Sequence, residues 1–217
     1  MKVNTDSVIL GSLTPAPMEG KILDVGTGTG LLALMMAFKT DCRIDALEID
    51  PKACRQAEEN VSCNNKSGQV HVISGDFCCF YPNCQYDLII SNPPYFQPGN
   101  PSKSAERDLA RSTSLLTHRQ LIAHSAEILR PEGILSLCIP YSTLHNIFEE
   151  VSRQGLKTVK EVFISPREGK DFYLAVLLLK KTPEIIKKDH DELVVRDQNG
   201  GFTSKYRQLT ASYYLKF

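Results

Sequence analysis

No stretch of this chain is long and apolar enough to cross a bilayer. The longest apolar runs, residues 31–38 and 172–179, have eight residues each, against the roughly 20 that a spanning helix needs. The first ten residues, MKVNTDSVIL, lack the basic-then-apolar order of a secretory signal. The expectation is a soluble, cytoplasmic protein without a membrane partner. Neither charge is in excess: 25 Lys and Arg face 25 Asp and Glu, and 42% of the residues are hydrophobic. That composition excludes intrinsic disorder. Seven cysteines make an odd count with no C-x-x-C pair, and five histidines include no H-E-x-x-H. Zinc sites draw on paired ligands at short spacing, so no metal is expected. The cysteines read as reduced thiols acting as small hydrophobes. A chain of 217 residues can bury a core without such staples.

The balanced charge hides an asymmetry. Residues 1–150 carry 12 basic and 17 acidic side chains, whereas residues 151–217 carry 13 and 8. A basic segment on an acidic body is either an electrostatic footprint for nucleic acid or a solvated face. Charge alone favours the solvated face.

Short β-branched segments alternate with helical patterns. Strands are expected at 21–25, 43–49, 69–74, 86–91, 134–139, 157–165 and 172–180. Helices are expected at 31–39, at 51–64 behind Pro51, at 118–129 and at 142–154. Such alternation predicts a parallel sheet with helices on both faces. Only the turn at 166–170 separates the last two strands, which is too short for a parallel crossover. The last strand must therefore run antiparallel. Residues 96–116 form the longest irregular stretch, and 182–217 read as a polar, mixed tail.

The first strand leads into Asp24-Val25-Gly26-Thr27-Gly28-Thr29-Gly30. Glycines there permit a sharp turn and close approach of a ligand to the main chain. A dinucleotide fingerprint would need a glycine at 31, where this chain has Leu31. The spacing is G-x-G-x-G, with an acid two residues ahead. Alone, it is also compatible with a tight strand–helix turn that holds nothing. Glu48 ends the second strand, at a distance suited to accepting hydrogen bonds from two ribose hydroxyls. Asp50, its neighbour, competes for that role or caps the following helix. Asp76 follows the third strand, where an Asx turn is the plain alternative. Three acids at three successive strand ends exceed what turn chemistry needs.

Asn92-Pro93-Pro94-Tyr95 follows the fourth strand. In doubly wound sheets the first and fourth strands are neighbours, and ligands bind at their carboxyl ends. Two prolines remove backbone donors and leave carbonyl acceptors. Asn92 adds an amide, and Tyr95 adds a ring for stacking. Acceptors beside a flat ring suit a planar group bearing NH2. The alternative is that N-P and P-P simply mark a turn.

These motifs together resemble those of class I S-adenosylmethionine-dependent methyltransferases that act on amino groups. Within them the chain is most similar to the bacterial tRNA1(Val) adenine-37 N6-methyltransferase family. The resemblance spans nearly the whole sequence. It rests on Lys2 to Gly11, Asn92 to Phe96, Arg107 and Arg111, Pro166 to Lys170, and Tyr206 to Thr210 with Tyr213 to Phe217. The chain departs from the family's Gly-Thr-Asp-Gly, with Asn4-Thr5-Asp6-Ser7 in its place.

The resemblance implies an α/β, Rossmann-like fold with a seven-stranded, mostly parallel sheet whose last strand is antiparallel. It implies a methyltransferase domain over 1–181 and a basic, substrate-binding extension over 182–217 packed on that domain. S-adenosylmethionine would be held by Thr5, Asp24, Gly26, Thr27, Gly28, Gly30, Glu48, Asp76, Phe77 and Asn92. Asp76 would take the adenine amino group while Phe77 flanks the ring. Catalysis would fall to Asn92, Pro93, Pro94 and Tyr95. The implied partner is tRNA, met by Phe96, Arg107, Arg111, Arg167, Lys205 and Arg207. Competing readings are a protein glutamine N5-methyltransferase and an rRNA or DNA amino-base methyltransferase. Further off is a non-catalytic adaptor that binds S-adenosylmethionine or RNA. A glutamine substrate does not call for a basic tail, and an adaptor would not need the Asn-Pro-Pro-Tyr sequence.

Overall fold

The computed structural model describes residues 4–93 and 116–214. Their strands form a single eight-stranded sheet in the order β3-β2-β1-β4-β5-β7-β6-β8. The strands are β1 (Lys21–Val25), β2 (Arg43–Glu48), β3 (Val70–Ser74), β4 (Tyr86–Ser91), β5 (Leu129–Pro140), β6 (Leu156–Arg167), β7 (Leu174–Lys181) and β8 (Asp189–Arg196). β1 to β5 pair in parallel. β7 inserts between β5 and β6 and runs antiparallel to both.

Strands covered on both faces read as continuous apolar runs. In β7, Leu174, Val176 and Leu178 join one core, while Ala175, Leu177 and Leu179 join the other. Helices α1 (Thr5–Leu13), α2 (Leu31–Ala37), α3 (Pro51–Cys63) and α6 (Ser204–Thr210) contribute to the first core. Helices α4 (His118–Ile128) and α5 (Leu144–Arg153) close the second. Thr117 starts α4 with a capping box, its hydroxyl accepting from Gln120 N while the Gln120 side chain accepts in return.

The seven expected strands, the reversed one among them, are present, and three features differ from expectation. The tail supplies an eighth strand, parallel to β6. Its sequence DHDELVVR turns only Leu193 and Val195 into the core, so its polar pattern concealed it. α1 was not foreseen because Val8, Ile9, Leu10 and Gly11 are buried nearly all round it, without a helical stripe. β5 begins at Leu129 rather than 134 because the pairing with β4 shifts register there. Glu132 takes the left-handed conformation (φ 66°). A Cβ on Gly133 would come within 2.9 Å of Leu129, so the bulge is built around that glycine.

Candidate functional site

The chain reverses its direction of travel across the sheet between β1 and β4, which lie side by side. Ser91 Oγ donates to the Val25 carbonyl at 2.8 Å and ties the two strand ends together. Beyond them opens a cavity of about 460 Å³, within the size range of small-molecule sites.

The glycine turn forms one wall. Gly26, Gly28 and Gly30 all have positive φ (70°, 60° and 81°), a conformation costly for any residue with a Cβ. Gly26 N and Thr27 N both donate to the Leu47 carbonyl, at 2.9 and 3.0 Å. Gly28 N donates to Glu48 Oε2 at 2.8 Å, and Asp50 N donates to Oε1 at 3.0 Å. Glu48 is therefore fixed at the cavity's rim by two backbone donors. A carboxylate has about four acceptor positions, so further hydroxyls can still be bound. Asp50 turns away and caps α3 by accepting from Lys52 N at 2.8 Å.

Asp24 has a different place from the other acids. It is fully buried beneath the turn and does not line the cavity. Its Oδ2 accepts from Thr27 Oγ1 at 2.5 Å and from Ala33 N at 3.0 Å, joining the turn to the first residues of α2. Its Oδ1 has no partner among the described residues. Burial pushes its carboxyl up to about 7, the two hydrogen bonds opposing and the Glu48 charge adding to the shift.

Asp76 lines the cavity and also makes the Asx contact, Oδ1 accepting from Cys78 N at 2.9 Å. Phe77 stands next to it, buried, with His124 edge-on at 4.8 Å. The exposed side chain of Ile49 gives a further apolar lining residue. Ile49 was missed in the sequence. Its signal, an apolar residue directly after a strand-end acid, reads equally well as ordinary strand.

Asn92 and Pro93 line the same cavity from the β4 side, and Asn4 and Ser7 from the start of α1. Asn92 Nδ2 donates to Ser7 Oγ at 2.8 Å. In the sequence Asn4 and Ser7 stand only within the Lys2 to Gly11 match, with no role assigned to either. Thr5 sits between them, exposed at the first position of α1 and not lining the cavity. Pro94, Tyr95, Phe96, Arg107 and Arg111 lie outside the described residues.

The three remaining cations lie on the far half of the sheet. Arg167 donates to the carbonyls of Asp197 (3.2 Å) and Gln198. Lys205 pairs with Asp191 and donates to the Glu192 carbonyl. Arg167 holds the turn that follows β8, and Lys205 ties α6 to β8. Arg207 is exposed on the last turn of α6 and has no ion pair among the described residues.

The lining fits S-adenosylmethionine. Glu48 can accept ribose hydroxyls, and Asp76 can accept an adenine amino group. Phe77 and Ile49 can flank a ring. A Cβ at Gly26 would meet nothing within 4 Å, so the main chain there is open to approach. Among the described residues no group of His, Cys, Asp and Glu could hold a metal ion, and no helix is long and apolar enough to cross a membrane.

Comparison with known proteins agrees with this geometry. Residues 2–160 match the sequence profile of the methyltransferase small domain. A tRNA1(Val) (adenine(37)-N6)-methyltransferase of Pectobacterium carotovorum is 36% identical over 99% of this chain and 88% of its own length. The protein of that name from Tolumonas auensis is 37% identical over 100% and 91%. Among solved structures, a predicted O-methyltransferase from Agrobacterium tumefaciens superposes with a TM-score of 0.76, covering 95% of this chain and 96% of that one at 18% identity. A methyltransferase from Pyrococcus furiosus gives 0.60 over 80% of each chain at 21% identity. At such identities the two structures establish the fold alone, while the relatives' near full-length similarity establishes more. The chain belongs to the tRNA1(Val) (adenine(37)-N6)-methyltransferase family, within the methyltransferase small domain group.

Proposed function

We propose that this protein transfers a methyl group from S-adenosylmethionine to N6 of adenine 37 in a valine tRNA. The observation that carries the reading is the shared cavity. The glycine turn with its acids and the Asn92–Pro93 corner face one space from adjacent strands. When bound, S-adenosylmethionine supplies an electrophilic methyl carbon on a positively charged sulfur. The chain's own residues supply position. Asn92 Oδ1 and the Pro93 carbonyl accept the two hydrogens of the target amine. That hold turns the nitrogen lone pair out of the ring's conjugation and toward the incoming carbon. Tyr95 stacks on the base and offsets part of the few kcal/mol needed to take it from its stack. As the nitrogen–carbon bond forms, the carbon–sulfur bond would break to leave a neutral thioether, and the amine, made acidic by that bond, would give its proton to water without a strong base. Alignment and electrostatics carry the rate.

Residues 1–181 form the catalytic part in this reading, and residues 182–217 help to bind the RNA. Arg107, Arg111 and Arg207 are the proposed phosphate contacts, and the enzyme works in the cytoplasm. The test is incubation of the protein and labelled S-adenosylmethionine with total tRNA, an intact release factor and rRNA. Label should appear in tRNA as N6-methyladenosine beside the anticodon. Label on a release-factor glutamine or in rRNA, or no label at all, would overturn the reading.

A further inference from the structure

The bond from Asn92 Nδ2 to Ser7 Oγ joins the β4 side of the cavity to α1. Ser7 lies in the first turn of α1, which is held along its whole length. Asn4 caps the helix, its Oδ1 accepting from Asp6 N at 3.0 Å. Tyr173 OH, just before β7, donates to Asp6 Oδ1 at 3.0 Å. Lys39 Nζ donates to the carbonyls of Gly11 and Thr14, at 2.6 and 2.9 Å, at the other end. A Cβ on Gly11 would come within 2.5 Å of Met35, so α1 sits hard against α2. Ser7 is thus mounted on a rigid element.

An asparagine amide has two chemically opposite ends, and rotation about its last torsion exchanges them. A target amine needs an acceptor, so one orientation is productive. The other would set the amide NH2 against the amine's own hydrogens. We propose that Ser7 is a positioning residue for Asn92, its hydroxyl accepting the Nδ2 hydrogen so that Oδ1 turns toward the amine, with the Tyr173–Asp6 bond steadying the helix that carries it. The inference rests on the amino-group transfer proposed above.

A serine hydroxyl can also donate, which would permit the wrong orientation. The fate of its single proton decides between them. Ser7 has no second hydrogen-bond partner among the described residues, and its side chain lines the cavity. Its proton is therefore available to an anionic ligand group there, such as an amino-acid carboxylate. A hydroxyl that donates into the cavity can only accept from Asn92. Filling the cavity with such a ligand then selects the productive amide.

The test needs no substrate for its first arm. In protein labelled with 15N asparagine, the Asn92 side-chain signals are identified by their loss in Asn92→Ala. With S-adenosylhomocysteine bound, they should be well separated and slow to exchange. Ser7→Ala should collapse that separation, and Ser7→Thr should keep it. In single turnover on tRNA at saturating S-adenosylmethionine, Ser7→Ala should be about tenfold slower, with tRNA affinity within about threefold. Ser7→Thr should recover the rate to within about threefold, and Tyr173→Phe should lose about threefold. Ser7→Gly makes the same comparison should Ser7→Ala not fold. Unchanged Asn92 signals in Ser7→Ala would overturn the inference. So would a Ser7→Thr as slow as Ser7→Ala. A wild-type protein that shows the expected signals but methylates no tRNA would instead sink the proposed function.

Discussion

At the β1–β4 side of the sheet, strand ends leave Glu48, Asp76 and Asn92 facing a cavity. Across the β6–β8 side, Arg167 and Lys205 are turned onto the chain's own carbonyls and carboxylate. Both regions carry polar groups of the kind that bind ligands. In the first, short-range backbone geometry directs them outward. In the second, carbonyls and a carboxylate of the tail take up their donors. A charged side chain signals a binding site only when its own protein leaves it hydrogen-bonding capacity that faces open space.

The largest expected effect lies at the cavity. Asn92→Ala should abolish methyl transfer, a loss of about a thousandfold or more, while S-adenosylmethionine affinity stays within several-fold. Retained turnover, measured with labelled cofactor, would separate the β4 corner from the chemistry. Next is Asp24, whose folded carboxyl sits at about 7 against an ordinary 3.8. Its neutral form is the one the fold favours. That contribution is complete below about pH 4 and is lost as pH rises through about 7, on the order of 4 kcal/mol. Urea melts across this range should show stability falling, and Asp24→Asn should flatten the profile. A profile as steep in the variant as in wild type would clear Asp24 of responsibility.

Glu48→Gln should weaken cofactor binding by about tenfold, because one of two backbone donors loses its carboxylate acceptor along with the ribose contacts. Calorimetry with S-adenosylhomocysteine reads this directly, and unchanged affinity would remove Glu48 from the rim's function. The smallest effects test the outer half. Arg207→Glu should weaken tRNA binding several-fold, more at low salt than at high salt. Arg167→Ala should lower stability by about 1 kcal/mol through its lost carbonyl bonds and leave the salt slope unchanged. Were Arg167→Ala to flatten that slope as much as Arg207→Glu, the contrast between the two regions would fail.

Much of the first region was legible in the sequence. Glycine spacing, strand-end acids and the Asn92–Pro93 corner act through their own backbone, so local pattern suffices to find them. Asp24 shows the limit. Its spacing suggested a ligand contact, but the Thr27 hydroxyl and the Ala33 amide take up its Oδ2 from beneath the turn. Ser7 and Tyr173 were out of reach, because their significance comes from contacts with Asn92 and Asp6 across 85 and 167 residues. β8 escaped notice because a strand packed by two apolar residues has almost no periodic signal.

That eighth strand bears on how the polypeptide survives its own synthesis. β6 offers one flank to β7 and the other to β8, and β8 emerges from the ribosome after both. Until it arrives, β6 presents an open ladder of backbone groups able to recruit a second nascent chain. The late strand that replaces this flank as the border carries Asp189, Asp191 and Glu192, charges that discourage such growth. A version stopped at residue 181 should therefore clump at concentrations where the longer one stays dispersed.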